Sequence, residues 1–426
     1  MNTYNISSGL RTLFIAMTGI GLLCLAITYI GAEDAYHSRF WSNLLHNSVF
    51  FTGMAIMASF FIAASILAYA GWFTAFKRLF EAITAFLPYG LGLVLIVAIG
   101  NFLHLHHLYH WTDAEAVKAD PVLLGKSGFL NSKFYLVATV LFGGAYVFLI
   151  EKIKSLSAAE DKANADSSFA LHKQQRFWAA ILLPVIGFTS VILVWQWIMS
   201  VDAHWYSTMF AWYTLASWFV AMMCFATLSL LYLRGNGYYQ NLNQHHIHDM
   251  GKFIFAFSVF WTYLWFSQFM LIWYANVGEE TIYFKERYDN YPVLFFSNLA
   301  VNFVLPFIVL LRNDTKRKIG TLSFVAIIVF IFHWVDFFLM IKPGVLHTVH
   351  EAAGHAAEDH AGHDHSHAAE HVSNFVSGFS LPGLLELGTM LGFLGFFCLI
   401  VFNALSKQAL TPKNDPYLEE SLHHHV

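Results

Sequence analysis

Residues Ile331 to Ile341 read IFHWVDFFLMI and place His333 and Asp336 in a run that is otherwise apolar and aromatic. Residues at i and i+3 share a helix face, so the two side chains are expected to meet. An acid and an imidazole inside an apolar helix are costly and mark a functional site by default. The competing reading is a pair of polar groups that ties helices together by hydrogen bonds. A second stretch, Trp195 to Trp205 (WQWIMSVDAHW), carries Asp202 and His204.

The surrounding composition decides what kind of helix this is. Of 426 residues 57% are hydrophobic and 12% charged, with 43 Phe and 13 Trp. Soluble domains carry about 25% charged residues, so the chain belongs in a membrane. A net charge of -4 gives no reason to expect nucleic acid as a partner. Cys24, Cys224 and Cys398 lie far apart in apolar runs, without a CxxC or CxxCH motif. No disulfide framework, c-type haem or iron–sulfur cluster is expected in this chain.

Ten apolar spans are expected: 10–30, 49–72, 82–103, 134–150, 177–199, 210–233, 253–274, 293–311, 322–341 and 384–405. Each is long enough, or nearly so, to cross about 30 Å of hydrocarbon. The first is too long for a signal-peptide core and reads as a retained helix. Lys and Arg are uneven between the two sides. The segments on the side of the termini hold 16, and the opposite loops hold 7. The bias predicts that both termini are cytoplasmic.

Spans two to five and six to nine make two sets of four, so both sets start on the same side. The expected architecture is an all-α integral membrane protein of about ten transmembrane helices. Two four-helix bundles would stand in a parallel pseudo-repeat, with the first and last helices flanking them. The corresponding segments are 1–45 (first flanking helix and outer loop), 46–200 (first bundle), 201–345 (second bundle), 346–380 (His-rich outward loop) and 381–426 (last helix and cytoplasmic tail).

Candidate site residues follow from polar groups in or beside apolar runs. His333 and Asp336 would form an internal proton relay, since a buried acid–imidazole pair passes a proton in either its neutral or its ionised state. Gln268 and Tyr263 in span seven would hold water. Asp202, His204, Glu279 and Glu280 would form the outward end of the path. Each has an ordinary counterpart: an interfacial cap, a helix-bridging amide, a solvated acidic loop.

His104 with His107 (i, i+3), and His106 with His110 (i, i+4), have metal-ligand spacing if helical. His46 and His104 lie in no recognisable haem-binding pattern, and no metal site is assigned. The stretch 347–371 holds eight His among Ala, Gly, Glu and Asp, without fixed ligand spacing. It resembles a low-complexity metal-binding tract.

Three phrases carry a family resemblance: VWQWIMSVDAHWYSTMFAWY in span five and beyond, YLWFSQFMLIWYANVGEETIYF from span seven, and HWVDFFLMI in span nine. With the tail DPYLEESLHHHV, they resemble the F-type membrane subunit (ActF) of alternative complex III, in the NrfD/PsrC-like family. The resemblance implies a subunit of a respiratory quinol:cytochrome c, or quinol:terminal oxidase, oxidoreductase in the bacterial inner (cytoplasmic) membrane. It implies menaquinol as the reductant, and haem c and iron–sulfur clusters in partner subunits rather than in this chain. The expected partners are membrane lipids, a homologous C-type membrane subunit, an iron–sulfur subunit, haem c subunits and a terminal oxidase. Whether quinone binds this chain is left open by the resemblance. The alternative reading is a secondary transporter or metal permease with a His-rich outward loop.

Overall fold

The computed structural model of the chain describes residues 3–32, 34, 36–163, 169–360 and 376–425, with 351–360 described by backbone only. It is an all-α multi-pass membrane protein. Ten helices are long and apolar enough to cross: α1 Ser8–Ile30, α2 Ser38–Leu67, α3 Gly71–Phe102, α4 Ser132–Lys162, α5 Ala170–Val201, α6 Thr208–Gly235, α7 Gln244–Ala275, α8 Pro292–Leu310, α9 Ile319–His350 and α10 Leu384–Leu405. Side-chain caps start several of them. Asn131 accepts from the Phe134 amide, and Asn243 forms a capping box with His246, satisfying amides that have no partner within the helix.

Helix neighbours fall into two closed rings. In the first, α2 packs on α3, α3 on α4, α4 on α5 and α5 back on α2; in the second, α6, α7, α8 and α9 follow each other in the same cyclic order. The rings meet where α2 lies against α6 and α9. Burial reports this arrangement. The apolar windows of α2 and α6 are 89% and 94% buried, against 22% for α1, so these two helices form the centre. Trp334 of α9 donates its indole N–H to Asn47 Oδ1 of α2 at 2.9 Å, and its carbonyl accepts from His46 Nε2 at 3.0 Å. Such paired polar groups join helices where lipid tails offer no hydrophobic contrast.

α1 and α10 pack on each other outside the rings, and α10 also touches α2 and α3. Their contact is backbone on backbone. A Cβ on Gly21 would lie 2.4 Å from the Gly392 Cα, and a Cβ on Gly392 would lie 2.3 Å from the Gly21 Cα. Gly388 and Gly392, four residues apart, form a small-residue stripe that permits this approach.

Both termini lie on one face, where Thr3 bridges to Ala409. From there the C-terminal segment crosses the ends of both bundles. Leu410 O accepts from the Tyr239 hydroxyl, Ser421 Oγ binds Ala75 N and Trp72 O, and His424 reaches Asp249 Oδ2 at 2.6 Å. The terminal histidines therefore take part in the fold.

Two expectations about the helices need correction. Span nine does not stop at Ile341, because the helix continues through Pro343 to His360. Residues 346–360 are therefore helix rather than the start of a 346–380 loop. The second part of the His-rich tract, residues 361–371 with four of its eight His, lies outside the described residues. The helix of α3 ends before His104, which has φ 56°, and 105–109 is not helical. The helical spacing proposed for His104, His106, His107 and His110 therefore does not exist. Pro184 sits inside a continuous α5, whereas Pro306 follows a π-helical turn at Ala300–Val304.

Candidate functional site: a buried polar relay

The second ring converges on Asp336. Its side chain is fully buried, and all four helices of the ring contribute to it. Tyr213 and Ser217 are one turn apart on α6. The Tyr213 hydroxyl donates to Oδ1, and Ser217 Oγ donates to Oδ2 at 2.8 Å. Trp261 of α7 donates its indole N–H to Oδ2 at 3.0 Å, and Asn298 of α8 donates its amide to Oδ1 at 2.8 Å. No cationic side chain pairs with Asp336 among the described residues. Four aimed donors take the place of water around the carboxylate, which is how a buried carboxylate can be tolerated.

His333 does meet Asp336, through Ser217. Its Nδ1 lies 2.8 Å from Ser217 Oγ. With the hydroxyl proton on Asp336, the serine oxygen accepts from an Nδ1–H. His333 Nε2 is buried without a partner among the described residues, so this end of the polar chain has a nitrogen with no hydrogen bond. On the other side, Asn302 donates to Asn298 Oδ1 at 2.8 Å, and Asn302 lies in the π turn of α8. π turns inside helices often accompany functional sites. The polar chain is thus Asn302, Asn298, Asp336, Ser217, His333.

The side facing away from the termini opens by two cavities. A cavity of ≈ 20 Å³, room for about one water, is lined by Asp336, Asn298, Tyr213, Gln268 and Arg287. The buried Gln268 Oε1 has no protein partner among the described residues, so it suits a water hydrogen. A vestibule of ≈ 330 Å³ is lined by Asp202, His204, His110, Glu286, Asp289 and again Arg287. Arg287 is the partition between the two. It is 2% exposed and donates to Asp202 Oδ2 at 2.9 Å, Leu339 O at 2.8 Å and Tyr283 O at 2.9 Å. The guanidinium also lies over the Tyr283 ring, 3.4 Å from its centroid. Burial opposes its charge, but Tyr283 and Asp202 more than offset this and hold Arg287 above its usual range. Burial likewise pushes the Tyr283 phenol up.

The residues proposed from sequence divide accordingly. Asp336 and Gln268 line the inner cavity, Asp202 lines the vestibule, and His333 is joined to Asp336 through Ser217. His204 lines the vestibule but is paired with Asp120 Oδ2 at 2.5 Å. Burial raises the Asp120 pKa, but hydrogen bonds from His204 and from the Val122 and Leu123 amides, with the His204 charge, together outweigh it and leave the carboxyl lowered. Tyr263 is 61% exposed on the outer surface of α7 and lines neither cavity. Glu279 is exposed and Glu280 half-buried in the first turn of a surface helix. Neither lines the vestibule, where Glu286 and Asp289 stand instead.

Sequence reasoning missed Arg287, Tyr213, Ser217 and Trp261, and it counted Lys342 as a loop charge. Lys342 is fully buried. Its ammonium donates to Ser42 Oγ at 2.8 Å and Asn43 Oδ1 at 2.6 Å. Asn43 in turn donates to Glu386, which accepts both arms of Arg39 at 2.9 and 3.0 Å. A usable signal was the Lys342-Pro343-Gly344 sequence at the end of the run that holds His333 and Asp336.

The chain matches no family model, and no curated protein is significantly similar to it.

Proposed function

We propose that this chain conducts protons across part of a membrane as a subunit of a respiratory quinol oxidoreductase. The carrying observation is a carboxylate held by four helices and joined through a water-sized cavity and Arg287 to an open vestibule. Such a site has no obvious substrate-binding chemistry of its own. What it offers is a proton position, with a hydroxyl and an imidazole next in line.

The phrases that resemble the F-type subunit of alternative complex III supply the lining. Asp202 and Tyr213 come from the first, Gln268 from the second, and His333 and Asp336 from the third. In this reading haem c, iron–sulfur and C-type membrane subunits are the partners. Menaquinol oxidation occurs in the assembly, cytochrome c or a terminal oxidase accepts the electrons, and the membrane is the bacterial cytoplasmic one. The Lys and Arg bias favours cytoplasmic termini, with the vestibule outside.

The test is mild-detergent purification from native membranes with identification of co-migrating chains, followed by proton-to-electron stoichiometry with Asp336→Asn. Multi-haem and iron–sulfur partners and a lowered stoichiometry are expected. Unchanged stoichiometry removes the relay. Migration without such partners removes the respiratory assignment.

A further inference from the structure

On the face that holds the termini, α4 ends and α5 begins beside the C-terminal segment. The segment is pinned there by backbone and amide contacts. Lys413 N donates to Asp161 Oδ1 at 2.9 Å, and Asn414 Nδ2 donates to Glu160 O and Ala163 O at 2.9 and 2.7 Å. This brings Asp415 to Glu160 of α4 and His172 of α5. All three side chains are buried, and one donor atom from each lies within 4.8 Å of the others. His172 is 7% exposed, and neither ring nitrogen has a hydrogen-bond partner among the described residues. Its Nδ1 faces Glu160 Oε1 at 3.9 Å. A buried imidazole with both nitrogens unsatisfied is costly and calls for a ligand.

We propose that Glu160, His172 and Asp415 bind a divalent first-row cation, zinc by donor type, which clamps the C-terminal segment to α4 and α5. Donors about 2.1 Å from zinc in a tetrahedron lie about 3.4 Å apart, so only a small contraction is needed. The outer oxygens are already held. Gln175 Nε2 donates to Glu160 Oε2 at 2.9 Å, and Tyr417 N donates to Asp415 Oδ1 at 3.1 Å. Contacts of this kind orient metal-binding carboxylates.

Charge also favours a cation. The buried group holds the carboxylates of Glu81, Glu160, Asp161 and Asp415, and its cations are Lys77 on Asp415 and Arg78 on Glu81 and Asp161. Arg176 instead lies over the Tyr69 ring at 4.3 Å. Among the described residues joined by these salt bridges and Glu160, the carboxylates outnumber the cations by two, which favours a divalent ion. Lys77 binds one oxygen of Asp415, and each carboxylate oxygen has a second lone pair for the metal. The site stands apart from the relay and does not depend on the proton-conduction reading.

The test uses the full chain in its complex, stripped with EDTA and titrated with zinc chloride. The His-rich sequence 347–371 offers further imidazoles to zinc, so the comparison of wild type with Glu160→Gln decides. Zinc should raise the wild-type Tm and slow proteolysis of the C-terminal segment, with neither effect in Glu160→Gln. If that variant does not fold, His172→Gln is read in its place. Gln175→Ala should weaken zinc binding roughly 10–100-fold. Equal zinc effects in wild type and variant, or no effect in either, overturn the proposal.

Discussion

Arg287 Nε donates to the carbonyl of Leu339 at 2.8 Å, the carbonyl whose helical partner is lost at Pro343. Proline has no amide hydrogen, so the residue four positions earlier is left without its donor. Beside it, a Cβ on Gly344 would fall 2.6 Å from Asp202 Oδ1. Pro343 thus frees the carbonyl that Arg287 binds, and Gly344 leaves room for the carboxylate that Arg287 pairs with.

Arg287→Ala strands the Leu339 carbonyl and leaves Asp202 unpaired at a mostly buried position. A loss of roughly 3 kcal/mol is expected, seen as a lower Tm. Pro343→Ala supplies an amide to Leu339, so it should recover part of that loss in the Arg287→Ala background. Additive effects in the double-mutant cycle would disprove the coupling.

Ser217 is the link between His333 and Asp336. Ser217→Ala strands the buried Nδ1 of His333, at a cost of about 1–3 kcal/mol, and should lower proton conduction, while Ser217→Thr keeps the hydroxyl and the conduction. Both are measured by proton-to-electron stoichiometry at unchanged assembly. Equal conduction by Ser217→Ala and wild type would exclude the serine from the route.

A side chain at Gly21 or Gly392 meets backbone that cannot rotate away. Gly392→Leu should force α1 and α10 apart at a cost of about 1–3 kcal/mol or more. Thermal unfolding in detergent measures it, and an unshifted Tm would contradict the close packing.

His106 makes the protein acid-sensitive. Burial lowers its pKa to about 4. Nε2 donates to Val97 O at 3.0 Å and Nδ1 accepts from Leu108 N at 3.5 Å, so an added proton on Nδ1 would face another N–H. The unfolded imidazole titrates near about 6.5 and binds its proton first. Stability from the neutral ring is complete above that pH and falls as the pH drops towards 4. The loss by about pH 5 is about 2 kcal/mol. His106→Gln should remove this part of the pH dependence of Tm between about pH 7 and 5.

The long apolar runs made the ten spans legible, because chain length in hydrocarbon is a local property. Asp336 and His333 were legible for the same reason, as charges inside an apolar run. Their partners were not. Tyr213, Ser217 and Trp261 are ordinary residues of apolar helices until packing turns them towards one carboxylate. Arg287 read as a loop cation because nothing local distinguishes a buried guanidinium from a solvated one.

By itself the sequence determined the class, the number of crossings, and the presence of an acid and an imidazole inside the membrane. These depend on local hydropathy, which a window of residues contains in full. Only the tertiary structure decided that α9 continues past Pro343, that Arg287 divides vestibule from cavity, and that Tyr263, Glu279 and Glu280 line neither of them. Those outcomes depend on which helices face each other, and the energy of a buried polar group is set by partners more than a hundred residues away, as Ser217 and Tyr213 are from Asp336.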